Sequence, residues 1–391
     1  MRIAVFTGHF HPHVGGVERY TRAIFSRLAR RGHAVALLTS AVGGGQSREL
    51  IDGIEVARLP VLPLFSARFP VILPGPSLWR ALAWLRSFRP EVVVTNTRFF
   101  TSTWLGTRFA IDEALPHLHV EHGSGQIRLG NWLADRVSAA IDHGPGRWVV
   151  GHASRCVGVS GAVVEFLAEL GRPGAGLLPN GVDLPVAGDG QGREAVRRRL
   201  GIAAGAPLAL YAGRVTADKG LLVLADALER LPDLHLVVAG DGEALPELRR
   251  RAARLARLHL LGQVPPAEVG GLLAAADLFV HPSRCAEGLP SSILEAAAAG
   301  LPIVATPQGG TVEVLCSPGH GLLVPPGDAA ALAEAMARLV ADAGLRSRLG
   351  AEARALVAGR FTWDRIALAA EQELLALVRA GRGRPPAPSP P

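Results

Sequence analysis

The sequence predicts an α/β protein with two domains, each built on a doubly wound parallel sheet. Short apolar runs alternate along the chain with amphipathic helical patterns, which is typical of parallel strands joined by helices. A chain of 391 residues is long enough to form two such domains. Because ligands bind beyond the carboxyl ends of strands in these sheets, the loops at those ends are the candidate sites.

Ten apolar runs are predicted as strands, five in each half of the chain. Those of the first half are Ile3–Thr7, Ala34–Thr39, Val92–Thr95, His119–Glu121 and Cys156–Ser160. Those of the second half are Leu208–Ala212, Leu234–Ala239, Leu258–Leu261, Leu278–His281 and Ile303–Thr306. Helical patterns between them include Leu221–Arg230 and Leu245–Ala256.

The domain boundary is predicted in the Gly- and Pro-rich stretch Gly171–Gly192, which gives domains of residues 1–175 and 176–361. A last helical pattern, Asp364–Val378, is expected to return to the first domain as a helix within 362–380. The Pro-rich residues 381–391 are predicted to form a disordered tail.

Composition narrows the class of protein only slightly. The net charge of +7 fits anionic partners, such as nucleotides, phospholipid surfaces or nucleic acid. Three widely spaced cysteines, Cys156, Cys285 and Cys316, predict reduced thiols rather than a disulfide framework. The chain shows no signal-peptide pattern and no uncharged apolar run of membrane-spanning length. A cytoplasmic protein is therefore expected.

Two cations follow a predicted strand of the second half. The segment GRVTADKG contains Arg214 and Lys219, and Lys219 is the only lysine of the chain. Here Gly213 frees the turn and Asp218 is a possible helix cap. A helix start offers unpaired N–H groups, and added cations make it suitable for a diphosphate. The alternative is a pair of surface charges on a loop.

Two carboxylates, Glu287 and Glu295, are separated by seven residues in the segment that follows the strand Leu278–His281. In a loop broken by Pro and Gly, Glu287 can accept hydrogen bonds from sugar hydroxyls, and the backbone of Gly288–Ser291 could approach a sugar or phosphate. Glu295 has an alternative structural interpretation, because Ser292 and Glu295 have the spacing of a capping box. A glycosidase pair is less favoured, because both carboxylates come from one loop–helix unit beside a phosphate-type site.

The first half offers two further loops. Gly15 and Gly16 permit close backbone approach to a ligand just before a helix predicted to start at Val17. The alternating His9, His11 and His13 suggest a metal site. Since no acidic residue lies inside this loop and Pro12 bends it, we expect a polar loop without metal instead.

His122 follows the strand that ends at Glu121, and Gly123 follows it in turn. This position suits a side chain at a ligand site, although a structural loop histidine is the alternative.

Three other patterns carry less weight. The amphipathic segment Ser77–Phe88 could lie on a membrane but is expected to pack on the first sheet. The arginines of Arg249–Arg257 predict a solvated helix face. The GDGE segment, Gly240–Glu243, lacks the spacing of a dinucleotide fingerprint.

Together these motifs resemble the retaining, nucleotide-sugar-dependent glycosyltransferases of family 4, which have the GT-B fold. The resemblance covers nearly the whole chain, and the order and spacing of the motifs make it specific. Its motifs are GGVER, His122-Gly123, VSGAVVEFL, NGVD, GRVTADKG, GDGE, LGQV, the E-x7-E unit, ATPQGG and GLLVPPGD. Leu289-Pro290 depart from the family pattern, in which an aromatic and a small residue are common.

The resemblance implies two Rossmann-like domains facing across a cleft, an acceptor domain followed by a donor domain. It implies roles in catalysis for His122, Arg214, Lys219 and Glu287, with the two cations on the donor diphosphate. It implies substrate contacts at Gly15, Gly16, Asn180, Val264, Gly288, Leu289, Pro290, Ser291 and Glu295. In this family Glu295 would contact the nucleotide ribose, and Val264 the base.

The expected reaction is transfer of a hexose, with retention, from GDP-mannose or a UDP-hexose to a glycan or lipid-linked acceptor in cell-envelope or polysaccharide biosynthesis. No metal or other cofactor is expected, because the two cations can take the electrostatic role. Contact with an anionic membrane at its inner face is expected, and nucleic acid is not. The alternatives are another GT-B enzyme, an epimerase or phosphorylase, and a non-catalytic nucleotide-sugar-binding module.

Overall fold

A computed structural model describes residues 1–42, 47–64, 69–126, 132–185 and 191–382. The chain forms two compact units. The first comprises Met1–Asn180 and Trp363–Pro391, and the second comprises Gly181–Thr362. The structure therefore divides the chain at Asn180, five residues after the predicted end of the first domain and within the predicted Gly- and Pro-rich stretch.

Among its described residues, the first unit contains ten strands. They are β1 (Arg2–Phe6), β2 (Ala34–Ser40), β3 (Arg48–Ile51), β4 (Ile54–Leu59), β5 (Val61–Leu64), β6 (Phe69–Ile72), β7 (Val92–Asn96), β8 (His117–Glu121), β9 (Arg155–Gly158) and β10 (Gly176–Leu177). Eight form one sheet in the order β10-β9-β8-β7-β1-β2-β4-β3. All neighbours in it are parallel except β3 and β4. The strands β5 and β6 form a separate antiparallel pair.

In the described part of the chain, six helices accompany this sheet before the second unit begins. They are α1 (Gly16–Arg30), α2 (Pro76–Phe88), α3 (Thr101–Asp112), α4 (Trp132–Ile141), α5 (Arg147–His152) and α6 (Gly161–Glu169). A π-helical segment, Asp142–Gly146, connects α4 to α5.

The second unit contains a six-stranded sheet, and its first described helix is α7 (Gln191–Arg199). Its strands are β11 (Leu208–Ala212), β12 (His235–Ala239), β13 (Leu258–Gly262), β14 (Leu278–His281), β15 (Ile303–Ala305) and β16 (Leu322–Leu323). The order is β13-β12-β11-β14-β15-β16, and every pair is parallel.

The remaining helices of the second unit connect and cover these strands. They are α8 (Leu221–Glu229), α9 (Leu245–Ala252), α10 (Pro266–Ala275), α11 (Ser291–Ala298), α12 (Thr311–Val314), α13 (Ala329–Ala341) and α14 (Ala343–Arg360). A short 3-10 helix, Ala217–Lys219, precedes α8. The prediction of two doubly wound parallel-sheet domains is confirmed.

The last helix, α15 (Trp363–Arg382), belongs to the first unit. Its Asp364 accepts a hydrogen bond from Arg27 of α1 at 2.6 Å. Its Glu371 contacts Nε2 of His33 and a guanidinium nitrogen of Arg31, each at 2.6 Å. The first two residues of the predicted disordered tail are part of this helix, and residues 383–391 lie outside the described part of the chain.

Strand composition explains the two cores. The strands β1 and β11 consist almost entirely of buried apolar residues, as expected when helices cover both faces of a parallel sheet. Two helix starts of the second unit are fixed by aspartates. Asp328 accepts hydrogen bonds from the first-turn amides of α13, and Asp342 from that of α14, which satisfies otherwise unpaired N–H groups.

The segment Ser77–Phe88 packs on the first sheet, as expected. In α2, one face of Leu78, Ala81, Leu82 and Leu85 joins the core that covers the sheet. On the other face, Trp79 is 60% exposed. None of the helices among the described residues is long and apolar enough to cross a membrane.

The predicted basic helix Leu245–Ala256 was too long. The helix α9 ends at Ala252, so Arg254 and Arg257 do not share its face. Arg257 instead donates hydrogen bonds to the carbonyl groups of Leu228 and Leu234. Arg257 is therefore partly a structural residue, because it satisfies one carbonyl group in the last turn of α8 and one in the loop before β12.

The turn before α8 depends on a glycine. Gly220 has a φ of 70°, and a Cβ there would lie 2.0 Å from the carbonyl oxygen of Pro282. Gly201 has nearly the same φ, 68°, but a Cβ there would meet no atom within 4 Å. Alanine substitutions at the two positions can therefore distinguish the free-energy cost of the left-handed backbone from the cost of a steric clash.

We predict that Gly220→Ala destabilises the protein much more than Gly201→Ala. A left-handed backbone costs an alanine about 1–2 kcal/mol at either position, and the clash adds a further ~1–3 kcal/mol at Gly220 alone. Thermal unfolding followed by circular dichroism measures the difference. Equal shifts in Tm for the two variants would contradict the close approach of Pro282.

Candidate active site

The candidate site of the second unit lies at the carboxyl ends of two neighbouring parallel strands. The loop after β11 leads through the 3-10 helix to Lys219, and the loop after β14 carries Glu287. Since β11 and β14 pair in parallel, both loops leave the same edge of the sheet. The loops are also tied together, because the amide of Arg284 donates to the carbonyl oxygen of Asp218 at 2.7 Å.

Lys219 and Glu287 form a buried ion pair at this edge. The Nζ atom of Lys219 lies 2.6 Å from Oε2 of Glu287, and the two side chains are 6% and 19% exposed. Burying either charge alone would cost several kcal/mol. Each residue therefore requires the other in this structure.

His281 adds a third side chain to this ion pair, and it was not predicted as a site residue. Its Nε2 lies 2.8 Å from Oε1 of Glu287, and its ring stacks on Tyr211 with centroids 6.3 Å apart. The Tyr211 hydroxyl donates to the carbonyl oxygen of Arg214 at 2.7 Å. The sequence contained a signal for His281, because this histidine lies at the end of a predicted strand, one position from where His122 lies relative to its own strand.

The environment of Glu287 favours its charged form. Burial by itself raises the pKa of this carboxyl group. The hydrogen bond from His281 and the positive charge of Lys219 outweigh burial, so the pKa lies well below its usual value. Glu287 is thus a carboxylate at neutral pH and can only accept hydrogen bonds.

Asp218 and Cys285 border the ion pair. The Cys285 thiol donates to Asp218 at 3.1 Å, and its sulfur lies 3.9 Å from Nζ of Lys219. Burial raises the pKa of Cys285, so the thiol stays protonated at neutral pH. Asp218 also accepts a hydrogen bond from Thr216. Since α8 has Gly220 at its N-cap and no side-chain cap, the predicted capping role of Asp218 was wrong.

Arg214 differs from Lys219 in its exposure. Arg214 is exposed, whereas Lys219 is 5% exposed. The predicted pair of cations is therefore one accessible guanidinium and one buried ammonium that already contacts a carboxylate. The ammonium group has three N–H donors, so a contact with Glu287 leaves capacity for a ligand oxygen.

The loop before α11 places the other predicted residues of this segment close to Glu287. The amide of Gly310 donates to the carbonyl oxygens of Glu287 at 3.2 Å and Gly288 at 2.7 Å. The side chains of Leu289 and Pro290 are buried, so any sugar contact there would come from the backbone. Ser291 is half-buried at the start of α11.

Glu295 lies inside α11 and is half-buried. The helix begins at Ser291, with Pro290 at the N-cap and no side-chain cap hydrogen bond. The capping-box interpretation of Ser292 and Glu295 was therefore wrong. Among the remaining predicted contacts, Val264 is half-buried in the loop after β13, and Asn180 is the last residue of the first unit before Gly181.

In the first unit, His122 is held by neighbours from two elements, β7 and α1. Its Nε2 lies 3.2 Å from Oδ1 of Asn96, and Tyr20 of α1 packs edge-on against its ring at 4.7 Å. Burial lowers the pKa of His122 to about 4, despite the nearby negative charge of Glu121. His122 is therefore neutral at pH 7 and suited to hydrogen bonding rather than to carrying charge.

A buried charge cluster supports the His122 loop. Both oxygens of Glu121 are used: Oε1 accepts from the amides of His122 and Gly123, each at 2.9 Å, and Oε2 accepts from the amide of Arg98 at 3.2 Å. A terminal guanidinium nitrogen of Arg98 lies 3.2 Å from Oε1 of Glu121, and Nε of Arg98 lies 2.8 Å from Oδ1 of Asp142. Arg98 and Asp142 were not predicted as site residues, because no local sequence pattern shows that these distant residues meet.

Burial alone raises the pKa of Glu121, but the charge of Arg98 and a hydrogen bond from His119 outweigh it. The net pKa is therefore well below the usual value. The ionised Glu121 acts as a fixed acceptor for the backbone that carries His122.

The structure thus gathers the predicted residues in two separate groups. Lys219, Glu287 and Gly288 lie together in the second unit with Arg214 nearby. In the first unit, Gly15 and Gly16 lie at the start of α1, the helix whose Tyr20 packs on His122.

Two family models match the chain. The model of Glycosyltransferase Family 4 matches residues 14–185, and that of glycosyl transferases group 1 matches residues 192–356. Together they cover both units of the structure.

Similar proteins extend over almost the whole chain. A D-inositol 3-phosphate glycosyltransferase of Xylanimonas cellulosilytica is 32% identical over 94% of this chain and 95% of its own length. A GDP-mannose-dependent alpha-mannosyltransferase of Mycolicibacterium smegmatis is 28% identical over 98% of each chain.

Solved structures show the same fold. Sucrose-phosphate synthase of Thermosynechococcus elongatus has a TM-score of 0.77 at 24% identity, covering 97% of this chain and 99% of its own. The Anabaena protein HepE in complex with UDP has a TM-score of 0.76 at 20% identity, covering 96% of this chain and 100% of its own. The match to both family models and to a relative of nearly equal extent shows that the chain belongs to glycosyltransferase family 4, as a nucleotide-sugar-dependent hexosyltransferase with the GT-B fold.

Proposed function

We propose that the protein is a retaining glycosyltransferase that transfers a hexose from GDP-mannose or a UDP-hexose to a glycan or lipid-linked acceptor. The observation that carries the proposal is the buried Lys219–Glu287 pair beside the exposed Arg214, at the carboxyl ends of two parallel strands. A carboxylate for sugar hydroxyls and two cations for a diphosphate match the two halves of such a donor.

The proposed chemistry follows from where charge develops. When the bond between the anomeric carbon and the phosphate oxygen breaks, its electron pair stays on the leaving diphosphate. Lys219 and Arg214 then stabilise the added negative charge without a metal ion. The acceptor hydroxyl forms the new bond on the same face, and its proton passes to the departing phosphate.

Glu287 has two roles in this proposal. One carboxylate oxygen is held by Lys219 and the other by His281, which fixes its plane. Its remaining lone pairs can accept hydrogen bonds from sugar hydroxyls. The same carboxylate orients the Lys219 ammonium, so that the cation is in place before the donor binds.

The other predicted residues complete the proposed site. We propose that Gly288, Leu289, Pro290 and Ser291 contact the donor through their backbone, Glu295 the ribose and Val264 the base. We further propose that the neutral His122 makes a hydrogen bond to the sugar, and that Gly15, Gly16 and Asn180 contact substrate. The second unit would hold the donor and the first the acceptor.

We predict that one of GDP, UDP, ADP and dTDP binds more tightly than the others. Lys219→Ala should weaken this binding at least about 10-fold, since a hydrogen bond to a charged group is worth about 1.5–3 kcal/mol. Turnover with the matching sugar donor should fall ~10²–10³-fold. Isothermal titration calorimetry and product analysis measure both effects.

Arg254→Ala is the matched control, because Arg254 is exposed and the variant loses one positive charge outside the site. It should bind the nucleotide as the wild type does. Equal affinity in the wild type and Lys219→Ala, or no binding to any nucleotide by the folded protein, would overturn the donor-site proposal.

We predict that His281→Ala lowers kcat/KM about 10–100-fold, because Glu287 loses a charged hydrogen bond. The loss raises the pKa of Glu287, so the acidic limb of the pH–rate profile should move to higher pH. His259→Ala is the control, since it removes a half-buried histidine of β13 outside the Glu287 site and should leave both measurements unchanged. A His281→Ala variant with normal kcat/KM and an unmoved acidic limb would show that His281 does not position Glu287.

We propose a cytoplasmic site of action with peripheral contact with anionic lipid at the inner membrane face. The net charge of +7 and the exposed Trp79 on α2 support this contact, since basic surfaces are attracted to anionic lipid.

We predict co-sedimentation with phosphatidylserine liposomes at low salt, weakened by Trp79→Ala and by high salt. Failure to bind at low salt would contradict the membrane contact and leave the donor site unaffected.

A further inference from the structure

Two histidines and a glutamate meet at the amino end of α1 in the first unit. The loop after β1 carries His9 and His13, and Glu18 lies in the first turn of α1. Potential ligand atoms of the three side chains all lie within 4.8 Å of one another. The loop itself contains no acidic residue, but the carboxylate of Glu18 comes from the helix that follows the loop.

The contacts among the three side chains are close. Nδ1 of His13 lies 3.1 Å from Oε1 of Glu18. The rings of His9 and His13 stack with centroids 4.3 Å apart and planes 15° from parallel. His9 and Glu18 are 4% and 8% exposed, while the side chain of His13 is 37% exposed. One side of the cluster is therefore open to solvent, and the other is enclosed.

The surrounding structure holds the cluster in place. The ring of His9 packs edge-on against Phe100 at 5.4 Å, and the amide of His13 donates to the carbonyl oxygen of Phe10 at 3.0 Å. A Cβ at position 15 would lie 2.2 Å from Oε2 of Glu18. Only glycine at position 15 therefore leaves the carboxylate of Glu18 its place beside the histidines.

We propose that His9, His13 and Glu18 form a binding site for a divalent transition-metal ion, with zinc as the best match. Imidazole nitrogens favour zinc, cobalt or nickel over magnesium and calcium, which prefer oxygen ligands. Two histidines and one glutamate are a known three-ligand set for zinc and leave a fourth position open.

The distances are compatible with one ion after small side-chain adjustments. Zinc binds these ligand types at about 2.0–2.2 Å, which places ligand atoms roughly 3–4 Å from one another. Moving the ligand atoms by about 1 Å brings the present cluster into this range. The rings of His9 and His13 must also turn out of their stacked arrangement, because an imidazole nitrogen binds a metal in the plane of its ring. Because the side chain of His13 is 37% exposed, water or an oxygen atom of a ligand can reach the cluster and complete the coordination.

The test measures metal binding directly. Full-length protein, freed of metal by chelation and carrying Cys316→Ser, is titrated with zinc by calorimetry and with cobalt by visible absorption. The background substitution removes a competing thiol, because the sulfur of Cys316 lies 3.4 Å from Nδ1 of His320. We expect one equivalent of zinc to bind and cobalt to give the absorption bands of a tetrahedral site.

Glu18→Gln and His13→Ala should each weaken zinc binding by at least about 10-fold, because even residues that only support metal ligands are worth 10–100-fold. His11→Ala is the matched control, since His11 is an exposed histidine of the same loop outside the cluster. It should leave affinity unchanged, and circular dichroism confirms folding of each variant.

Three results would overturn the site: no saturable binding, unchanged affinity in Glu18→Gln and His13→Ala, or an equal loss in His11→Ala. The proposal does not depend on the proposed transferase reaction, because binding is observed without a sugar donor. A protein that binds zinc but no nucleotide would support this site and reject the donor site.

Discussion

The candidate active site depends on the buried contact between Lys219 and Glu287. Neither charge is stable in this position without the other, and both loops that carry them are shaped around the contact. His281 takes the second oxygen of Glu287, and Tyr211 supports His281 by stacking. Removal of one partner would therefore disturb the loops after β11 and β14 together.

The first unit uses a related arrangement around Glu121. There too, a buried carboxylate at the carboxyl end of a parallel strand is neutralised by a cation and approached by a histidine, here Arg98 and His119. Glu121 then uses its oxygens to fix the backbone of the loop that carries His122. In both units, a compensated carboxylate converts a loop at the edge of the sheet into a rigid support.

The two carboxylates nevertheless differ in how much of each side chain is exposed. The Glu121 side chain is fully buried, so it can act only on protein groups. The Glu287 side chain remains 19% exposed, so it can act on a ligand as well.

The sequence by itself determined the alternation of strands and helices, the two sheets and the loops that carry the candidate residues. These features follow from local apolar periodicity, and the charged groups of GRVTADKG and the loop of Glu287 could be found because they follow predicted strands. Short edge strands such as β10 and β16 were missed, since two residues carry no period. The capping roles of Asp218 and Ser292 were wrong, because the helix starts are fixed by Gly220 and Pro290 instead.

Only the tertiary structure decided which of these residues meet. The order of strands in the second sheet places β14 beside β11, and this order brings Lys219 to Glu287 and His281. The fold of the loop after β1 likewise brings Glu18 to His9 and His13. The number of residues between two positions in the sequence does not tell how far apart their side chains lie in space. That distance is set by how the sheets and helices pack.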